Sequence, residues 1–395
     1  MRDALGFWRT HRRVRPFFIA QAQGAIGDGA GYVALLLLAY DRFGSAWAAT
    51  ALMLADFGPA MLLGPALGAL VDRHGRLRAA IVSDLIRAVA FAALLFVDGA
   101  VGMIALALFA GLGTALFRPA TGALLPTLTT PDRLGAANAL VSMLRDGGQL
   151  LGPALAAGLL LVAGPETVLG FNAATFVISA VLLTRVRGHV RPVARAEASE
   201  APGWRVVLGD SRARVLAMTS GVATLAGGTL NVSELALSQH DLQAGGAGLA
   251  LLIGSMGVGL VVGSGLGAES RDTLGLLLVA LGFAGAALAP VLGLAVVAFA
   301  VLGVGNGMFF VSNRVKLQRH VAEHLHGRAF GLVSSFDSWG ACAAVVLGGA
   351  LVATAGARPT LAIAGAAMTL IALVSRREVL SAQWRQETPL GSTTA

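Results

Sequence analysis

Apolar segments of about twenty residues recur along this chain and restrict its fold more than any other feature. Only α-helices and closed β-barrels satisfy every backbone polar group in lipid, and these segments lack the alternation of apolar and polar residues that barrel strands need. Apolar residues make up 56% of the sequence and charged residues 13%. Soluble domains have roughly 45–50% and about 25%, respectively. The sequence therefore predicts an all-α integral membrane protein.

Charged and turn-forming residues divide the apolar segments into twelve predicted transmembrane helices, in two sets of six. The first set is predicted at 16–39, 46–70, 79–98, 100–124, 136–163 and 168–184. The second set is predicted at 213–238, 246–267, 273–290, 292–313, 329–353 and 357–375. An Arg-rich stretch that contains Pro192 and Pro202 separates them. We therefore expect an N-terminal six-helix half (1–184), a cytoplasmic linker (185–212) and a C-terminal six-helix half with a short cytoplasmic tail (213–395).

The basic residues are concentrated in the tails and in alternate loops. Of the 29 Lys and Arg residues, only five fall elsewhere: Arg42 and Arg358 in the intervening loops, and Arg87, Arg118 and Arg145 within predicted helices. Because basic loops stay in the cytoplasm, this distribution predicts a multi-pass protein of the inner (cytoplasmic) membrane with both termini cytoplasmic. The net charge of +8 is thereby explained by topology and anionic lipid, without nucleic acid as a partner.

An internal repeat relates the two sets of helices at an offset of 192 residues. It aligns Gly111 with Gly303 and Gly135 with Gly327, so that the fourth and fifth predicted helices correspond to the tenth and eleventh. Paired repeats are typical of secondary transporters, which bind their substrates between the repeats near the membrane midplane. The repeat therefore indicates a transporter.

The loop after the second predicted helix has the most specific motif of the chain, comprising Gly68, Asp72, Arg73, Gly75, Arg76 and Arg78. In place and in residues it resembles the loop signature of the major facilitator superfamily. The stretches 115–140, 148–158 and 231–241 resemble the bacterial branch that contains macrolide-type drug exporters and the enterobactin exporter. The equivalent loop around Glu269 is degenerate. The resemblance extends over about residues 15–375 and implies that superfamily's twelve-helix fold.

This loop can form part of a cytoplasmic gate. Asp72 is suited to cap the positive N-terminal end of a neighbouring helix, and Arg76 can pair with a carboxylate. The resemblance implies that the capped helix is the eleventh. We include Gly68, Arg73 and Gly75 in the predicted gate. The alternative is that the arginines only determine topology.

Ionisable side chains inside transmembrane helices are costly and mark functional sites by default. The predicted cavity residues are Gln21, Asp28, Tyr32, Arg118, Asn231 and Glu234. Asp28 and Glu234 are the candidates for carrying a proton or attracting a cationic substrate. A structural hydrogen-bonding role is the alternative for both, as is a place in water at the outer interface for Glu234. Arg118 is suited to an anionic partner or to tuning a carboxylate, with pairing inside the bundle as the alternative.

Other intramembrane charges are assigned to the gate or to packing. Asp84 and Arg87 lie three residues apart on one helix face, where they can neutralise each other. Arg145 and Asp337 occupy equivalent positions in the repeat, which suggests a salt bridge between the halves in one alternating-access state. Asp146 could instead pair with Arg145.

Small residues at four-residue spacing predict close helix contacts. The pairs are Gly64 with Gly68, Gly148 with Gly152, and Gly259 with Gly263. Pro153 removes a backbone hydrogen bond and predicts a kink in the fifth helix.

The sequence contains no phosphate-binding loop and no nucleophile–base set, and the zinc-protease-like string at His320, Glu323 and His324 falls in a short loop. We therefore expect no enzymatic activity, no metal and no cofactor, with the proton gradient as energy source. A cavity that is apolar with few charges is expected to suit amphipathic small molecules. The sequence thus favours a monomeric proton-coupled antiporter for efflux of drugs, antibiotics or secondary metabolites. The alternatives are a nutrient uptake symporter and a non-transporting receptor.

Overall fold

A computed structural model describes residues 6–9, 11–43, 46–160, 162–186, 190, 209, 211–267 and 271–380. Within these ranges the chain is helical, with twelve helices of 17 or more residues and no strand. Eight helical segments in the described ranges are long and apolar enough to cross a membrane. The predicted all-α membrane fold is therefore confirmed. The predicted linker, residues 185–212, lies largely outside the described residues.

The long helices are numbered in chain order. In the first half they are α1 Arg15–Phe43, α2 Ala46–His74, α3 Arg76–Ala93, α4 Ala100–Leu124, α5 Leu134–Leu160 and α6 Pro165–Thr184. In the second half they are α7 Ser211–Ala236, α8 Gly245–Leu266, α9 Asp272–Leu288, α10 Leu292–His320, α11 His326–Ala355 and α12 Ala357–Leu380. A short π-helical turn continues α7 to Asp241. Each helix overlaps one of the twelve segments predicted from the sequence.

Helix α10 extends well past its predicted end at residue 313, because polar residues of its last turns find partners on other helices. Lys316 Nζ donates to Asp272 Oδ2 on α9 at 2.6 Å. Asn138 Nδ2 on α5 donates to Gln318 Oε1 at 2.5 Å. The prediction from hydropathy ends this helix at its first basic residue. The contacts with α9 and α5 stabilise the helix beyond the apolar segment.

The helices pack in the same pattern in each half. Helix α1 contacts α5 and α6, α2 contacts α4, and α3 contacts α4 and α6. The same contacts recur between α7 and both α11 and α12, between α8 and α10, and between α9 and both α10 and α12. The principal contacts between the halves, α2 with α11 and α5 with α8, are also equivalent under this repeat.

Helices α2 and α11 cross at glycines contributed by both. A Cβ atom on Gly68 would collide with the carbonyl oxygen of Gly327, and one on Gly64 with that of Gly331. The converse also holds, since Cβ atoms on Gly327 and Gly331 would collide with the backbone of α2. Small-residue spacing therefore allows the two backbones to touch.

The other predicted glycine pairs also lie at helix contacts. Gly148 and Gly152 of α5 lie against α1, where a Cβ atom on Gly152 would come within 2.6 Å of the carbonyl oxygen of Ile26. Gly259 and Gly263 of α8 lie against α10. Pro153 lies inside α5 near Gly29 of α1, and the kink there stays a prediction.

The variant Gly68→Val should lower the melting temperature of the purified protein, because its side chain must push α11 away. Overpacking of this kind costs roughly 1–3 kcal/mol. Gly58→Val is the matched control, since a Cβ atom at Gly58 on the same helix meets nothing within 4 Å. Thermal unfolding in detergent compares them. Equal melting temperatures would contradict the close α2–α11 contact.

Candidate functional site

A cavity of about 340 Å³ lies between the two halves, near the middle of several long helices. Its wall includes residues of α1, α4, α5, α7, α10 and α11. Five phenylalanines supply aromatic surface: Phe17, Phe57, Phe117, Phe310 and Phe330. The volume is within the roughly 300–1,000 Å³ range typical of small-molecule sites.

Six charged side chains also line this cavity: Asp28, Arg87, Arg118, Arg145, Arg314 and Asp337. The expectation of few charges in the cavity is therefore wrong. The sequence predicts Arg87, Arg145 and Asp337 in the gate or in helix packing, because it is interpreted one helix at a time. It also predicts that helix α10 ends before Arg314. Packing of the two halves brings all of them to one wall.

Arg87 joins a buried carboxylate to one that faces the cavity. Its guanidinium donates to Asp84, which is fully buried, and its Nη1 lies 3.6 Å from Asp28 Oδ2. The guanidinium also lies 4.2 Å from the ring centroid of Phe117 and 4.3 Å from that of Phe176. The predicted pairing of Asp84 with Arg87 is present, and it also includes Asp28.

In this conformation Arg145 and Asp337 do not form the salt bridge predicted for one alternating-access state, and each has a nearer partner. Arg145 Nη2 lies 3.3 Å from Asp146 Oδ1, which is the alternative that the sequence left open. Asp337 Oδ1 accepts hydrogen bonds from the Ser220 hydroxyl at 2.6 Å and the Thr224 hydroxyl at 3.3 Å. Both hydroxyls belong to α7 and donate to the same carboxylate oxygen.

The predicted cavity residues separate into two groups. Gln21, Asp28 and Arg118 line the cavity. The described residues that line it do not include Tyr32, Asn231 or Glu234. The last cavity residue on α7 is Thr224, and Glu234 is ten positions further on, about 15 Å along the helix axis. Glu234 is 8% exposed and near the end of α7. The helical spacing predicted that these residues share one face of α7. It did not predict how far along the helix this face borders the cavity.

A second polar site joins the halves at one end of the bundle, which we call the basic end because Arg73, Arg76, Arg319 and Arg328 lie there. Asp72 Oδ1 accepts a hydrogen bond from the backbone N–H of Gly327 at 2.9 Å, and Oδ2 accepts one from Arg328 at 3.0 Å. Both N–H groups are in the first turn of α11. A carboxylate there is stabilised by donors that the helix leaves unpaired and by the helix dipole. Asp72 therefore caps α11, as predicted.

Arg76 adds a second contact at the basic end. It donates to the carbonyl oxygen of Glu323, and its Nη1 lies 3.6 Å from Glu323 Oε1. Gly75 has a φ of 97°, which only glycine adopts without strain, and so permits the turn from α2 into α3. Arg73 is exposed.

Hydrogen bonds between the halves extend from the basic end to about the middle of the helices. Near the middle, the Ser335 hydroxyl donates to the carbonyl oxygen of Ala60 at 2.7 Å. On the opposite side of the bundle, the Ser264 hydroxyl of α8 donates to Asp146 Oδ2 of α5 at 2.6 Å. In this conformation the halves are therefore joined at the basic end.

Comparisons with known proteins agree on one family. The Major Facilitator Superfamily model matches residues 17–324. The multidrug efflux pump Tap of Mycolicibacterium fortuitum is 28% identical over 389 residues, covering 91% of this chain and 93% of Tap. Macrolide efflux protein A of Streptococcus pyogenes is 30% identical over 172 residues, so that the match spans only 42% of either protein.

A solved structure has the same fold. A bacterial homologue of the iron transporter ferroportin, in an outward-facing state, superposes with a TM-score of 0.80 at 19% identity. The match covers 92% of this chain and 98% of that one. At this identity the likeness concerns the fold alone.

Asp72→Asn should separate α2 from α11 at the basic end, because the amide lacks the charge and one of the two acceptor oxygens. Charge-assisted hydrogen bonds contribute about 1.5–3 kcal/mol each. The measurement is the rate at which a water-soluble maleimide labels Ser335→Cys, a buried position on α11, in a Cys342→Ser background. We expect faster labelling with Asp72→Asn. Asp132→Asn, in the exposed 131–133 turn, is the control. Unchanged labelling in Asp72→Asn would refute the contact.

Proposed function

This chain belongs to the major facilitator superfamily of membrane transporters, and on that premise we propose that it is a proton-coupled antiporter that exports amphipathic small molecules. The observation that carries the proposal is the cavity between the halves, which combines five phenylalanines with two carboxylates at its wall. One carboxylate, Asp28, comes from the first half, and the other, Asp337, from the second. The drug efflux pumps named above support export as the direction.

Asp28 is our first candidate for the proton carrier. It lies near the middle of α1, its side chain is 47% exposed, and it lines the cavity. A carboxylate in this position is accessible to protons from whichever side the cavity opens. Arg87, at 3.6 Å, stabilises the ionised form, so that gain and loss of a proton would change the contact between α1 and α3.

Asp337 is the second candidate. In its ionised form it accepts hydrogen bonds from Ser220 and Thr224 of α7. Protonation would weaken both bonds and so loosen α11 from α7 on the cavity side. Because α11 also carries the N-terminal turn that Asp72 caps, this helix connects the cavity to the basic end.

We propose that this arrangement permits alternating access. The contacts of Asp72 and Arg76 close the basic end, which we infer to be cytoplasmic, and their loss would admit substrate from that side. A membrane potential of 100 mV supplies about 2.3 kcal/mol per proton, enough for a concentration ratio of about 50-fold for a neutral substrate. We further propose that the protein is a monomer in the inner membrane, with both termini cytoplasmic and no cofactor.

Asp28→Asn should abolish transport driven by a proton gradient, because the amide cannot exchange a proton. The assay is movement of a lipophilic fluorescent dye in proteoliposomes with an imposed pH gradient. Glu234→Gln, a carboxylate away from the cavity, is the matched control and should retain transport. Wild-type rates in Asp28→Asn would eliminate Asp28 as the carrier.

Direction is tested in cells that express the protein, by dye accumulation with and without an uncoupler. Export predicts that energised cells accumulate less dye and that the uncoupler restores accumulation. A higher accumulation in energised cells would instead support a symporter.

A further inference from the structure

We propose that the cavity binds an anionic group between Arg118 of α4 and Arg314 of α10, so that amphipathic anions are the preferred substrate class. This inference rests on the proposed transport function and names the substrate class for its cavity. It is based on the partners of the four arginines that line the cavity. Two of these arginines contact carboxylates of the described residues and two do not.

Two of the four arginines are already paired with carboxylates. Arg87 contacts Asp84 and lies 3.6 Å from Asp28. Arg145 lies 3.3 Å from Asp146. These two guanidinium groups are therefore neutralised by the protein and have structural partners.

The other two arginines have no carboxylate within 4 Å among the described residues. Arg314 Nη1 donates to the Ser142 hydroxyl at 3.0 Å, a neutral partner that uses one of its five N–H groups. Arg118 has an exposed side chain in the cavity wall and donates no side-chain hydrogen bond to the described residues. Both side chains thus have unused donors at the cavity and no described carboxylate in direct contact.

The surrounding charges act on these arginines only at longer range. Those that face Arg118 are Asp28, Asp56, Asp337 and Arg314. Those that face Arg314 are Asp146, Asp337, Arg118 and Arg145. The nearby carboxylates on the cavity wall are already held by other donors: Asp28 by Arg87, and Asp337 by Ser220 and Thr224. A bound anion in direct contact with both guanidinium groups would offset the repulsion between the two arginines.

Phenylalanines lie close in sequence to both arginines. Phe117 immediately precedes Arg118 on α4, and Phe310 lies one turn before Arg314 on α10, and both line the cavity. A carboxylate, sulfonate or phosphate can accept paired hydrogen bonds from guanidinium groups, while an apolar body rests on the phenylalanines. Because α4 and α10 belong to different halves, such a ligand would contact both.

Binding of dansylglycine and dansylglycinamide tests this inference, since the two probes differ in one carboxylate. Fluorescence titration of the purified full-length protein, in nanodiscs of phosphatidylcholine, needs no proton gradient. We expect the dissociation constant of dansylglycine to be lower by about tenfold or more, as one charge-assisted hydrogen bond implies. Equal affinities in the wild-type protein would overturn the proposal, whatever the variants do.

Variants of the two arginines test where the anion binds. Arg118→Gln and Arg314→Gln should each remove most of the preference for dansylglycine while leaving dansylglycinamide binding unchanged. Arg133→Gln, in an exposed loop, is the control and should keep the preference. Retention of the full preference in both cavity variants would overturn the assignment to these arginines.

Adding phosphatidylglycerol to the nanodiscs distinguishes two sources of the anion. If the bound anion comes from a lipid headgroup, this lipid should weaken dansylglycine binding in the wild type but not in Arg118→Gln. Unchanged binding assigns the site to soluble amphipathic anions. Failure of proton-driven transport with an intact anion preference would contradict only the proposed function, whereas normal transport with equal probe affinities would contradict only this inference.

Discussion

Asp72 accepts hydrogen bonds from two backbone N–H groups at the start of α11, and this contact joins the two halves at the basic end. Those N–H groups have no acceptor within their own helix, so the carboxylate supplies what α11 lacks. The bonds are possible only because Gly68 and Gly327 let the two backbones touch. Arg76 adds its contacts with Glu323 at the same end. Local helix chemistry and close packing thus act together to join the two halves.

The cavity lies further from the basic end than this contact. The charged side chains of its wall differ in the partners that they contact. Asp28 and Asp337 come from opposite halves, and each is held by a donor from its own half. In the proposed mechanism, proton binding changes contacts inside one half, whereas the substrate contacts both halves. Arg118 and Arg314 are the arginines of the described cavity wall that contact no carboxylate, which is why we assign them to the substrate and not to the fold. In the proposed mechanism, coupling requires no direct contact between the proton and the substrate.

The sequence predicted the helices and the basic end well, because both depend on local features. Apolar segment length determines a transmembrane helix, and the spacing of Asp72 and Arg76 determines a loop motif. The cavity was predicted less well. Helical spacing placed Asp28 correctly but extended the same face to Glu234, and it gave no sign that Arg314 enters the cavity. Those positions depend on the rotation and contacts of whole helices, which are set by tertiary packing.

We propose that two six-helix bodies alternate about this cavity and that Asp72 controls one end. Spin-label distances at both ends test this mechanism, in a Cys342→Ser background. Labels at Arg133 and Arg271 report on the basic end, and labels at Phe96 and Val291 report on the opposite end. We expect Asp72→Asn to lengthen the first distance and to shorten the second. Unchanged distances, or lengthening at both ends together, would contradict it.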